Sequence, residues 1–236
     1  GWKTLFHPYE AGHLDLPQAG SRTLFLGAEP GLRLPEGFLG RLTLVQGFRP
    51  SFLQLQQSGL DVLPEVEGEG YDLALVLAGR HRGRNEAWIG QAAARVREGG
   101  LVVVAASKQN GGDSLRRRMA KLVTLDRHLS KHHGIVFWFA RPSAPLPAPE
   151  EADAHVEGRF HTAPGMFSHG RIDPGSRLLV EHLPSRMSGH VADLGAGWGF
   201  LSSEVAARAE GPLTLHLYEA DFESCAAARA NLARHG

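Results

Sequence analysis

Apolar positions along this chain fall into two kinds of run, and their alternation is the first structural signal. Residues 23–26, 42–45, 73–77 and 101–105 are short, nearly uninterrupted stretches rich in Leu and Val, the pattern of strands buried on both faces. Between them, residues 51–58 and 85–98 place apolar side chains at helical spacing and are followed by Gly59 and Gly99, the common helix stop. Strands alternating with helices predict an α/β unit built on a mostly parallel sheet. The aromatic-rich run 134–140 predicts one more strand of that sheet.

The same alternation restarts further along. Residues 176–183, 200–209 and 222–235 read as helices, and 190–194 and 213–218 as strands. Between the two sets lies a proline-rich stretch without periodicity, the composition of an extended solvated connector. The expected organisation is thus two tandem Rossmann-like units, 1–141 and 157–236, joined by a linker over 142–156. Two strands with their helices make only the opening third of a doubly wound domain, so the second unit is expected to be C-terminally incomplete.

Composition narrows the class. The 236 residues include 29 Gly and 14 Pro without a triplet period, which excludes collagen-like and low-complexity chains. A lone cysteine, Cys225, cannot close an internal disulfide. No run approaches the ~18 apolar residues of a membrane helix, and the first residues lack signal-peptide character. A cytoplasmic protein without a membrane partner, acting as a monomer, is the expectation. Lys plus Arg equals Asp plus Glu at 25 each, but residues 1–141 carry net +5 and residues 142–236 net −5.

The segment with the most chemical content is Asp193-Leu-Gly195-Ala-Gly197-Trp-Gly199-Phe200, a predicted strand running into a glycine-rich turn and a helix. Glycines there let the backbone approach a ligand with no Cβ in the way. Twenty residues after Gly199, at the end of the next predicted strand, stands Glu219, where a carboxylate accepts hydrogen bonds from ribose hydroxyls. Strand, turn, helix, strand and acid in register point to a nucleoside-cofactor site. The dinucleotide fingerprint G-x-G-x-x-G needs glycine where Phe200 sits, which disfavours a nicotinamide-dependent oxidoreductase.

The pattern D-x-G-x-G-x-G with its downstream Glu resembles the S-adenosylmethionine (SAM) site of class I methyltransferases. Upstream, the string from Pro164 through Phe167, Ser168, Asp173 and Gly175 to Leu179 reads by itself as a turn-rich loop entering a helix, with Asp173 or Ser176 as cap. It is similar to the P-G-x-F-S…D-x-G-S-x-L-L segment of the ribosomal RNA small subunit methyltransferase C (RsmC) family, which methylates guanine N2 of small-subunit rRNA. That resemblance implies two methyltransferase-like domains, the first degenerate and the second catalytic. It implies SAM as cofactor, held by Asp193, Gly195, Gly197, Gly199 and Glu219 together with Phe167, Ser168, Asp173 and Gly175. Small-subunit rRNA or the ribosomal subunit is the implied partner.

An internal duplication fits the resemblance. The run Thr23-Leu-Phe25-Leu-Gly27-Ala-Glu29-Pro-Gly31 matches Val191 to Gly199, with Phe25 replacing Asp193 and Glu29 replacing Gly197. Matching Leu42-Thr-Leu to Leu213-Thr-Leu places Phe48 opposite Glu219, so the first copy is expected not to bind SAM. Amino-group methyltransferases carry N-P-P-[FY] after the fourth strand. The corresponding first-unit stretch, ending at Arg80, lacks it, and the second unit reaches Gly236 before such a strand, so no catalytic residue is assigned.

Weaker signals remain. Arg80, Arg82 and Arg84, and Arg116, Arg117, Arg118 and Lys121, are the densest basic clusters, read either as rRNA-phosphate contacts or as solvated helix faces. His132 and His133 have no Cys or carboxylate at ligand spacing, and no metal centre is expected. Cys225, in an alanine-rich stretch, reads as a packing residue. The alternative to an enzyme is a catalytically silent RNA-binding or scaffolding protein with a degenerate cofactor pocket.

Overall fold

The computed structural model describes residues 1–149 and 155–235 and divides the chain into two compact units, Gly1–Pro149 and Glu150–Gly236. Residues 150–154 of the expected linker lie outside the described residues. Its earlier part is not wholly free of structure, because Leu146 packs against the first unit's core.

In chain order the first unit comprises α1 (Trp2–Glu10), β1 (Arg22–Leu26), β2 (Arg41–Val45), α2 (Arg49–Gln57), β3 (Val62–Leu63), β4 (Tyr71–Ala78), α3 (Arg82–Arg95), β5 (Val96–Ser107), α4 (Gly112–Leu122), β6 (Arg127–Lys131) and β7 (Gly134–Ala140). They form a mixed seven-stranded sheet in the order β3-β2-β1-β4-β5-β7-β6. From β3 to β5 all pairs are parallel; β7 runs antiparallel to both β5 and β6. A two-residue connection between β6 and β7 permits no other arrangement, since parallel neighbours need a long crossover.

Alternation along the strands divides the core into two layers. Leu24, Val76, Val104 and Phe137 pack on one face with Ile89 of α3 and Met119 of α4. Phe25, Leu75, Val103 and Trp138 pack on the other with Phe6 of α1 and Leu55 of α2. Each such fully buried side chain contributes about 1.5–3 kcal/mol by leaving water. The expected strands and helices of this unit are present, together with four elements that the sequence reading did not include. Helix α1 contains Pro8, α4 is dominated by polar and basic residues, β3 spans two residues, and β6 is a largely exposed edge strand. Helix α3 also ends at Arg95 rather than near Glu98, because Val96 turns extended and pairs with Tyr71.

Where β5 enters the sheet its register slips, and Asp72 bridges the irregularity. Its carboxylate accepts from the Arg97 guanidinium at 2.7 Å and from the Arg22 backbone N–H at 2.8 Å. The Arg97 bond first, then the Arg22 bond, holds the Asp72 carboxyl below its ordinary value. A carboxyl with a depressed folded-state pKa stabilises the fold fully above the unfolded value, about 3.9, and that contribution disappears as pH falls through the folded value. Asp72→Asn is therefore expected to cost about 1 kcal/mol near neutrality. In a series of urea titrations, its gap to the parent protein should close on acidification below about pH 4.

The second unit comprises β8 (His155–Val156), β9 (Phe160–His161), α5 (Pro174–Glu181), β10 (Met187–Leu194), α6 (Phe200–Ala206), β11 (Ala209–Tyr218) and α7 (Phe222–Leu232). Strands β10 and β11 pair in parallel and β8 and β9 form a separate hairpin. All five elements expected here form, with shifted ends. Alternate residues of β10 and β11 are exposed, Leu194 and Tyr218 among them, so among the described residues one sheet face is uncovered.

Candidate functional site

Strand β10 delivers the chain into the loop 195–199, whose shape depends on glycine. Gly195, Gly197 and Gly199 have φ of 81°, 53° and 87°, a region costly for other residues. The loop is fastened to the next strand where Gly195 N–H and Ala196 N–H donate to the Tyr218 carbonyl at 2.8 and 3.1 Å. The three glycines differ in what surrounds them. A Cβ on Gly195 or Gly197 would meet open space, whereas one on Gly199 would lie 3.1 Å from both Cα and Cβ of Ala228. Gly199 thus allows α6 and α7 to touch, while Gly195 and Gly197 leave a bare backbone surface. Asp193 accepts from the Ser202 hydroxyl at 2.7 Å, tying the end of β10 to α6.

Glu219 follows β11 and folds its carboxylate onto this loop. One oxygen accepts from Gly197 N–H at 2.8 Å, and the other from Ala220 and Asp221 N–H at 2.7 and 2.8 Å. Asp221 in turn caps α7 by accepting from Ser224 N–H. The acid therefore both shapes the glycine turn and stands beside it as an acceptor. An apolar depression bounded by Ala196, Leu215, Leu217, Glu219 and Cys225 opens on this side. Burial first, then the nearby Glu219 charge, pushes the Cys225 thiol up. That keeps it protonated and suits a packing residue rather than a nucleophile.

On the loop's other side a small crevice gathers Phe167, Ser168, Asp173 and Ser176 against Gly195 and Gly197. The segment that supplies the first four is seated by aromatic packing. Phe160, Trp198 and Phe200 lie with ring centroids 5.2–5.9 Å apart, joined by Met166 and Ile172. The Trp198 indole N–H donates to the Phe167 carbonyl at 2.9 Å. Asp173 is the N-cap of α5, accepting from Ser176 N–H at 2.9 Å. Gly175 lies in the first turn of α5, where a Cβ would meet the Asp173 carboxylate at 3.1 Å. Sequence reasoning missed Trp198, Ser202 and Asn231 as supports. Asn231 accepts from His161 N–H and donates to the His161 and Trp198 carbonyls, a role only the fold reveals.

The equivalent loop of the first unit corrects one correspondence. Thr23 pairs with Leu42, whereas Val191 pairs with Leu215, and Gly27 N–H donates to the Val45 carbonyl as Gly195 N–H does to that of Tyr218. Glu219 therefore corresponds to Gln46, not Phe48. The tripeptide match misled by two residues because Leu-Thr-Leu fits any buried strand. Gln46 keeps part of the pattern: it accepts from Phe48 N–H at 2.9 Å and donates to the Ala28 carbonyl at 2.7 Å. Phe25, in place of Asp193, is fully buried in the core.

The basic residues sit on the first unit. Arg82 and Arg84 lie in the first turn of α3; Arg116, Arg117, Arg118 and Lys121 lie on α4; exposed Arg80 follows β4. The fold brings the two clusters together through Glu86, which pairs with Arg118 at 2.6 Å and Arg82 at 3.2 Å. Those two guanidinium groups share one carboxylate, which offsets half of their charge. Arg116 and Lys121 instead line an open groove with Arg127 and His128.

Comparison with known proteins accords with this geometry. Residues 157–236 match the family model of the methyltransferase small domain. Ribosomal RNA small subunit methyltransferase C of Pseudomonas putida (strain F1) is 29% identical over 94% of this chain and 63% of its own length. The Pseudomonas entomophila protein of that name is 45% identical over 31% of this chain and 22% of its own. A solved T. thermophilus 16S rRNA N2 methyltransferase (RsmC), in complex with AdoMet and guanosine, superposes with a TM-score of 0.72 at 25% identity. That match covers 93% of this chain and 64% of the other. The chain thus spans under two thirds of the length of these relatives. Along nearly its whole length the chain is similar to these RsmC methyltransferases in sequence and fold, and its second unit matches the methyltransferase small domain.

Proposed function

We propose that this chain is the SAM-binding and RNA-recognising portion of an rRNA methyltransferase that modifies guanine N2 in the small ribosomal subunit. The observation that carries the reading is the bare Gly195 and Gly197 backbone, flanked on one side by Glu219 and on the other by Phe167, Ser168 and Asp173. The residues fit the cofactor, because two left-handed glycines leave a surface that any Cβ would intrude upon, with an acceptor for ribose hydroxyls at its edge. SAM, when bound, would supply an electrophilic methyl carbon on a sulfonium, with the neutral thioether as leaving group and a proton released from the amine that takes the methyl.

The chain's own residues hold and orient. Asp193 and Ser202 fix the end of β10, Glu219 fixes the turn and offers carboxylate lone pairs, and Trp198 anchors the Phe167 backbone over the crevice. Gly199 serves this site through packing of α6 on α7, and Gly175 through the turn that lets Asp173 cap α5. The first unit is proposed to be a degenerate copy that binds no SAM, its turn closed by Gln46 and its Asp replaced by buried Phe25. Arg116 and Lys121, in an open groove, are the stronger candidates for rRNA phosphates; Arg82 and Arg118, shared with Glu86, are the weaker.

The full-length protein is expected to bind SAM in isothermal titration and not NAD. Gly197→Leu is expected to reduce SAM affinity at least about 100-fold, since its side chain would fill the crevice and the left-handed backbone would be strained by about 1–2 kcal/mol. SAM binding unchanged by this substitution would overturn the site.

A further inference from the structure

We propose that His7, Glu10 and His132 form a binding site for a zinc-class divalent transition-metal ion that fastens the end of α1 to the β6–β7 turn. One ligand atom from each residue lies within 4.8 Å of those of the other two. Sequence spacing around His132 and His133 offers no carboxylate; the fold brings one from the opposite end of the unit.

His7 and Glu10 stand three residues apart in the last turn of α1, so one helix face presents an imidazole and a carboxylate side by side. His132 arrives on the two-residue turn between β6 and β7, which is pinned close to α1. The Thr4 hydroxyl donates to the Lys131 carbonyl at 3.2 Å, and Lys108 N–H donates to the His133 carbonyl at 3.0 Å. The His7 and His132 rings stand edge to face, 87° apart, with centroids 6.0 Å from each other. Two imidazoles bound to one ion at ~2.0–2.1 Å place their centroids roughly 5–6 Å apart, so the pair needs little movement to share a metal.

Three further facts favour a cation here. The site lies at a helix C-terminus, the negative end of the helix dipole, which favours positive charge. His132 and His133 hold φ of 51° and 58°, a turn geometry that ordinarily selects Asn-Gly, so this hairpin places histidine against backbone preference. Among the described residues, no hydrogen bond or ion pair occupies the side chains of His7, Glu10 or His132. Two imidazoles and a carboxylate suit Zn²⁺, Co²⁺ or Ni²⁺ and not Mg²⁺ or Ca²⁺, with solvent completing the coordination. Glu10 and His132 are exposed, so an ion can enter from solution.

The test uses the full-length, tag-free protein freed of metal with a chelator. Titration with Zn²⁺ should give tight uptake of one ion per chain at this site and a higher melting temperature; Mg²⁺ should give neither. His132→Ala, on an exposed turn, should weaken that uptake at least about tenfold and abolish the thermal shift, as should Glu10→Gln in smaller degree, while His133→Ala should change neither. Wild-type protein without the thermal shift, or a His132→Ala variant that binds and is stabilised like the parent, overturns the proposal.

Discussion

Replacing Glu219 with alanine should reduce SAM affinity of the full-length protein by about 10²–10⁴-fold, measured by isothermal titration. Two ribose hydroxyls donating to a carboxylate are each worth about 1.5–3 kcal/mol, and both are lost together. The same substitution removes the acceptor for Gly197, Ala220 and Asp221 N–H, so the turn loses its internal brace as well. Glu219→Gln separates the two effects. Gln46 shows that an amide can sit at this position in the same kind of turn, accepting from the backbone N–H two residues on. Glutamine at 219 should therefore keep the loop but lose the charge, with affinity between that of alanine and the parent. An alanine variant that binds SAM like the parent would remove Glu219 from the site.

The largest stability effect is expected in the first unit. Gly27→Ala should destabilise it by roughly 2–5 kcal/mol, because left-handed backbone strain and overpacking both apply. Gly27 has φ of 76°, and a Cβ there would lie 2.6 Å from the Leu77 carbonyl oxygen and 2.6 Å from the Trp88 ring. The Trp88 ring can shift, but the carbonyl belongs to the central strand β4 and is held by its neighbours. For a unit of this size the melting temperature should fall by roughly 5–15 °C in calorimetry. Gly31→Ala is the control: its φ is 79° but nothing lies within 4 Å of a Cβ, so only the strain of about 1–2 kcal/mol remains. Equal losses from the two variants would show that packing at Gly27 contributes nothing.

The glycine turns of the two units differ in what surrounds them. In the second unit Gly195 and Gly197 face open space, as a ligand surface requires; in the first, Gly27 is wedged between β4 and α3. The first turn is filled by its own protein, and its glycine is retained for packing. Gln46 accomplishes by two neutral hydrogen bonds what Glu219 does with a charge. Phe25 in the adjacent strand lies in the apolar core.

The sequence by itself determined the strands that lie in the middle of the sheet, the two-unit order, and the glycine turn with its following acid. Those features are local: a buried strand must be apolar on both faces, and a left-handed turn must carry glycine. It did not disclose β6 or α4, because an edge strand and a helix with one thin apolar stripe leave little trace in hydrophobicity. Nor could it fix which residue of the first unit corresponds to Glu219, since strand register is set by hydrogen-bonded pairing between strands and not by resemblance within one. Only tertiary structure decided that Gly199 packs while Gly197 stays bare, that Glu86 links Arg82 to Arg118, and that His7 and Glu10 meet His132. Each of those depends on distances between segments far apart in the chain, which chain closure and core packing establish together.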